Sequence, residues 1–185
     1  MNILRHTPNI ISIARILLVP PIIWMIWHKI YDTAFILMII AGVSDGVDGF
    51  LARAFHWQSK LGAMLDPAAD KLLLVSIFIV IGLKGFIPWW LVGLVILRDI
   101  IIVVGTFAYQ RATQDKDIRP LFISKVNTAL QILLAVAALY QEAVMPLPGN
   151  IMPILIWVVT ATTLASGIAY ITIWTRNTIK YKNNN

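Results

Sequence analysis

The sequence has no cysteine, so it forms no disulfide, and any metal it binds is held by oxygen or imidazole. Charge is scarce too: 13% of its 185 residues are Asp, Glu, Lys or Arg, against 59% that are apolar. That balance excludes both an ordinary soluble domain and a disordered chain. No polar break is long enough to fold as a soluble domain, and no internal repeat is visible. His6, His28 and His56 fall at loop or interfacial positions without the spacing of metal ligands. What the chain has in quantity is long apolar runs.

A membrane-spanning helix needs about 20 mostly apolar residues. Six segments qualify, roughly 10–29, 33–54, 62–83, 87–110, 121–141 and 150–174. The first is not a signal peptide by pattern, since Arg15 and Pro20-Pro21 interrupt it and no small-residue cleavage site follows. The expected fold class is therefore an all-α integral membrane protein, one domain over residues 1–185 with six transmembrane helices. The net charge of +6 does not point to nucleic acid, because the cations sit at the ends of the apolar segments. Arg5, Arg15, Arg53, Lys60, Arg111, Lys116, Arg119, Lys125, Arg176, Lys180 and Lys182 fall on one side, and Lys29 and Lys84 on the other. By the positive-inside rule both termini are expected in the cytoplasm. Trp89-Trp90 and Tyr31 are then expected to mark the outer interface, and Trp57 and Trp174 the inner one. The absence of an Arg- and Ser-rich leading segment favours a bacterial cytoplasmic (inner) membrane.

Of nine acidic residues, four crowd into one stretch: Asp45 and Asp48 near the end of the second apolar segment, Asp66 and Asp70 near the start of the third. Each would cost about 2.5–3.5 kcal/mol at the centre of a spanning helix, so such residues mark function. Spacings of three and four put each pair on one helical face. Carboxylates alone suit a hard ion, Mg2+ or Mn2+, and four of them exceed what one Mg2+ takes, which implies two ions. Two such ions can grip a pyrophosphate and stabilise the entering and leaving oxygens of an in-line displacement. Gly42 and Gly46 form a small-residue step suited to close helix packing, and Gly62 opens the third segment.

The full run, Asp45-x2-Asp48-Gly49-x2-Ala52-Arg53-x8-Gly62-x3-Asp66-x3-Asp70, resembles the signature of the CDP-alcohol phosphatidyltransferase family at all eight defining positions. Thr7-Pro8-Asn9 followed by Arg15 is similar to the family's amino-terminal entry. The resemblance implies metal ligation by Asp45, Asp48, Asp66 and Asp70, with Asp70 also the general base on the acceptor hydroxyl. It places Gly49, Ala52 and Gly62 beside the cytidine diphosphate and Arg53 near its phosphates, and it implies a homodimer. Leu65-Asp66-Pro67-Ala68-Ala69-Asp70-Lys71 resembles the phosphatidylglycerolphosphate and cardiolipin synthase branch. Leu97-Arg98-Asp99 and Phe122-Ile123-Ser124-Lys125-Val126-Asn127-Thr128-Ala129 look most like cardiolipin synthases of the eukaryotic type. Many phosphatidylglycerolphosphate synthases carry a second arginine where this chain has Thr106.

The expected activity is transfer of a phosphatidyl group from CDP-diacylglycerol to a glycerol-based acceptor with release of CMP. Phosphatidylglycerol, giving cardiolipin, is preferred, with glycerol 3-phosphate as the alternative. Arg98 and Lys125 are candidate substrate-binding residues, though Arg98 also reads as a structural partner of Asp99 and Lys125 as an interfacial anchor. An enzyme of the same fold acting on inositol phosphate or choline is a third possibility. A cation transporter is the rival class. Against transport, the acids cluster toward one face, and a carrier has no need of the Gly49, Ala52, Arg53 and Gly62 pattern.

Overall fold

The computed structural model describes the backbone of residues 7–54, 60–113 and 121–183, and the side chains of 14–44, 71–111 and 121–179. Among the described residues the chain is all-helical: α1 (Thr7–Trp27), α2 (Tyr31–Ala54), α3 (Lys60–Leu83), α4 (Trp89–Thr113), α5 (Phe122–Ala143) and α6 (Ile151–Asn183). Each expected apolar segment is one helix. The largest departure is α6, which runs on to Asn183 where the apolar pattern ends at 174. No glycine or proline interrupts 175–183. A helix needs hydrogen-bonded backbone, which the charged tail supplies as well as an apolar one.

The turns have identifiable causes. α3 ends in paired bonds from Phe86 N to Ile81 O (2.9 Å) and from Gly85 N to Gly82 O (3.0 Å), with Gly85 left-handed at φ 79°. This is the Schellman stop that glycine favours. α1 ends the same way, with Ile30 N to Met25 O at 2.9 Å and Lys29 N to Ile26 O at 3.3 Å. Here the left-handed position is held by Lys29, at φ 64°. Lys84 reaches from the end of α3 to donate to the Trp27 carbonyl at 2.8 Å, and its ammonium lies 4.6 Å from the centre of the Trp27 ring. A cation at a helix C-terminus and over an indole face is favourable on both counts.

The chain divides into two compact units, one of Met1–Phe86 with Ala135–Pro148, the other of Ile87–Leu134 with Gly149–Asn185. In the first, α1 packs against both α2 and α3. Its buried stripe is Arg15, Val19, Ile22 and Ile26, met by Ala34, Met38 and Ala41 of α2 and by Ile77, Phe78 and Ile81 of α3. Gly42 is not part of this packing. It is exposed, and a Cβ added there meets no described atom within 4 Å, so the close approach on α2 is made by Ala34 and Ala41. In the second unit α4 packs on α6.

Polarity in the second unit is inverted relative to a soluble protein. Arg98, Asn127, Gln131, Thr163 and Ser166 are buried, while Phe122, Trp157, Phe107 and Ile168 are exposed. Such a surface belongs in lipid, where only internal partners can satisfy polar groups. Three helices among the described residues are long and apolar enough to cross a membrane: Trp89–Arg111, Phe122–Ala143 and Ile151–Ile179. By length and composition these helices suit a membrane protein.

The aromatic markers divide. Trp89 and Trp90 are exposed, as interfacial rings should be, but Trp174 is buried against Tyr109 and Tyr170 and does not mark the inner interface. Its indole fills the space over Gly105, where an added Cβ would overlap the Trp174 ring. Trp57 lies outside the described residues.

Two stability outcomes follow from these contacts. Lys29→Gly should stabilise the protein by about 1 kcal/mol, the usual cost of a left-handed residue with a Cβ, read as a higher unfolding temperature in detergent. Gly105→Ala should destabilise by about 1–3 kcal/mol through overpacking against a ring that cannot swing away. An unchanged unfolding temperature in the second variant would mean that α4 and α6 do not meet over Trp174.

Candidate active site

All eight signature positions lie in the first unit. Asp45, Asp48, Gly49, Ala52 and Arg53 are on the last turns of α2, and Gly62, Asp66 and Asp70 on the first turns of α3. Both stretches are continuous α-helix, so the three- and four-residue spacings place each acidic pair on one helical face. The side chains of these eight residues lie outside the described residues. α1 backs both helices, which holds the two halves of the signature in one packed unit.

Arg98 and Lys125 belong to the second unit, and the structure treats them differently. Lys125 is exposed on the first turns of α5. Arg98 is 5% exposed and bonded on three sides. Its Nη1 donates to Asp99 Oδ1 at 2.7 Å, its Nη2 to Ser124 Oγ at 2.5 Å and to Ser166 Oγ at 2.6 Å, and its Nε to Ser166 Oγ at 3.3 Å. One guanidinium thus ties α4 to α5 and α6. The ion pair with Asp99 that the sequence allowed is present.

Below this node the buried face of α5 stays polar. Asn127 and Gln131 follow Ser124 at helical spacing and are fully buried. Asn127 meets the hydroxyls of Thr162 at 2.8 Å and Thr163 at 2.9 Å. Thr162 also lies 3.0 Å from the Val158 carbonyl, and its one hydrogen cannot serve both. An Asn127 amide turned to donate to both threonines lets Thr162 donate to Val158, which satisfies more groups.

Ser124 and Asn127 lie in the segment that resembles cardiolipin synthases, but nothing in the sequence marks them, or Thr163 and Ser166, as partners. The available signal was modest: an arginine inside an apolar helix requires acceptors on its neighbours, and Thr160, Thr163 and Ser166 are buried polar residues of α6.

Comparison with known proteins gives a consistent picture. The model of a family described as CDP-alcohol phosphatidyltransferase matches residues 5–171. A relative in Oryza sativa subsp. japonica, named CDP-diacylglycerol--glycerol-3-phosphate 3-phosphatidyltransferase 1, chloroplastic, is 38% identical over 184 residues, covering 89% of this chain and 56% of its own. Cardiolipin synthase (CMP-forming) of Rattus norvegicus is 33% identical over 88% of this chain and 59% of its own. The Homo sapiens protein of the same name is 32% identical over 88% and 60%. The chain thus spans somewhat over half the length of these relatives.

Removing the Arg98 charge should be costly, because Asp99, 15% exposed, loses the guanidinium at 2.7 Å and the two serines lose their shared donor. Arg98→Met is expected to destabilise the protein by about 3–5 kcal/mol, seen as a fall in unfolding temperature in detergent. A fall no larger than that of an exposed apolar substitution such as Phe107→Leu would show that the node carries no structural weight.

Proposed function

The chain belongs to the CDP-alcohol phosphatidyltransferase family, and on that premise we propose that it transfers a phosphatidyl group from CDP-diacylglycerol to a glycerol-based acceptor, releasing CMP. The observation that carries this is the complete acidic signature on two continuous helices of one packed unit. The acceptor oxygen forms a bond to the lipid-linked phosphorus, the bond from that phosphorus to the CMP oxygen breaks, and the acceptor's proton goes to Asp70. Gly49, Ala52 and Gly62 border the cytidine diphosphate, and Arg53 lies near its phosphates. Arg98 and Lys125 bind the acceptor's phosphate.

The donor set fits a divalent metal. Asp45, Asp48, Asp66 and Asp70 offer only carboxylate oxygen, the chemistry of Mg2+ or Mn2+. Two ions held there would supply charge neutralisation of the pyrophosphate. We further propose one domain over 1–185 with six spans and both termini cytoplasmic. In support, six helices of 21 to 33 residues each reach the length a bilayer requires. The family resemblance supports a homodimer. A bacterial inner membrane, which the sequence favoured, gains nothing from the relatives, one of which carries a chloroplast address.

Phosphatidylglycerol is the preferred acceptor, on the likeness of the Arg98 and Lys125 segments to cardiolipin synthases. Glycerol 3-phosphate is the second reading, favoured by the printed name of the rice relative. Purified protein in vesicles with CDP-diacylglycerol and either acceptor separates them by product mass. Cardiolipin is expected from the first, and product from glycerol 3-phosphate alone would reverse the preference. EDTA should stop turnover and Mg2+ or Mn2+ restore it. Asp70→Asn should lose transfer by at least about 100-fold, the lower end for a general base, while CDP-lipid still binds. Turnover retained in that variant would remove Asp70 as the base.

A further inference from the structure

A guanidinium carries five N–H donors in one rigid plane, so what it can offer a ligand depends on which edges the protein has closed. In Arg98 the Nε edge is closed by a single atom: Ser166 Oγ accepts from Nη2 at 2.6 Å and from Nε at 3.3 Å. Asp99 takes one Nη1 hydrogen and Ser124 takes one from Nη2. Among the described residues the second Nη1 hydrogen has no partner.

Asp99, the adjacent residue on the same helix, holds Nη1, and Ser124 on α5 holds one hydrogen of Nη2. The Nε edge is held by Ser166 alone, which lies on α6 and is fully buried. A hydroxyl at this place orients the guanidinium without cancelling its charge, which a carboxylate would do. Ser166 thus helps to fix the direction of the open Nη1 donor without adding to the negative charge that Asp99 already brings.

Resting on the reading of Arg98 as an acceptor-binding residue, the geometry points to Ser166 as a positioning residue for the reaction: by closing the Nε edge it aims the Nη1 side of Arg98 at the acceptor's phosphate. Ser166 touches no substrate in this arrangement and acts through Arg98.

The test is steady-state kinetics of the full chain in vesicles, with KM measured separately for CDP-diacylglycerol and for each acceptor, phosphatidylglycerol and glycerol 3-phosphate. Ser166→Ala should raise acceptor KM roughly tenfold, the scale of one lost hydrogen bond to a charged group, and leave the KM for CDP-diacylglycerol unchanged. Ser166→Thr keeps the hydroxyl and should return acceptor KM to within about twofold of the parent. Should Ser166→Ala fold poorly, Ser166→Cys keeps the volume, loses the strong acceptor and carries the same expectation. Arg98→Lys keeps the charge, loses the planar fork and should also raise acceptor KM. If Arg98→Lys raises it and Ser166→Ala does not, or if Thr behaves like Ala, the positioning role is overturned and the Arg98 reading stands. If Arg98→Lys leaves KM unchanged for both acceptors, the Arg98 reading itself falls. An equal rise in both KM values for Ser166→Ala would mark a packing role only and overturn the proposal.

Discussion

A charge buried in a helix surrounded by lipid must find every partner inside the protein. The second unit is organised by that requirement at Arg98. Its donors reach Asp99 on its own helix, Ser124 on α5 and Ser166 on α6, so one side chain fixes how three helices approach one another. The polar stripe that continues through Asn127 and Thr163 follows the same rule, since a hydroxyl or amide facing hydrocarbon would lack a partner. Apolar side chains cover the outside, at Phe107, Phe122, Trp157 and Ile168, and share the inside, at Leu91, Val95, Leu134 and Val159.

The first unit solves a different problem. Its described interior is mostly aliphatic, with Val19, Ile22 and Ile26 of α1 set against small residues on α2 and a bulky face on α3. Arg15 is the exception, a cation placed at the end of that aliphatic stripe. Alanines at 34 and 41 allow α2 to come close. A backing helix gripping both α2 and α3 suits a motif divided between them: residues at the end of one helix and the start of the next keep their register only if a third element holds both.

Much of this was legible in the sequence, and for a physical reason. Hydrocarbon imposes a length and a composition on each crossing, so six helices could be bounded to within a few residues at most of their ends. What escaped depends on three-dimensional neighbours. The apolar pattern says where lipid contact stops, which is not where a helix stops, and α6 accordingly overran its expected end. A glycine step reads as a packing face, yet Gly42 turns outward because the alanine stripe is the one that meets α1. Trp174 carried the composition of an interfacial anchor and went inward because Gly105, 69 positions earlier, leaves room for its ring. The acidic signature is written in spacing, and the structure adds that both of its halves lie on continuous helix. The partners of Arg98 were not legible, because serines on two other helices carry no mark in one dimension.

The Arg98 node also bears on acceptor choice under the proposed reading. Its charge is already matched by Asp99 at 2.7 Å, so the pair together offers a direction for a phosphate and little net attraction. A phosphodiester brings one negative charge and a phosphomonoester near neutral pH brings between one and two. The second needs more positive charge to offset its lost hydration. Within the second unit Lys125 is exposed on α5, and position 106 of α4 is a threonine. A site with one compensated arginine and one solvent-facing lysine is better matched to the single charge of phosphatidylglycerol. Glycerol 3-phosphate would ask that site for a cation which α4 does not supply at position 106.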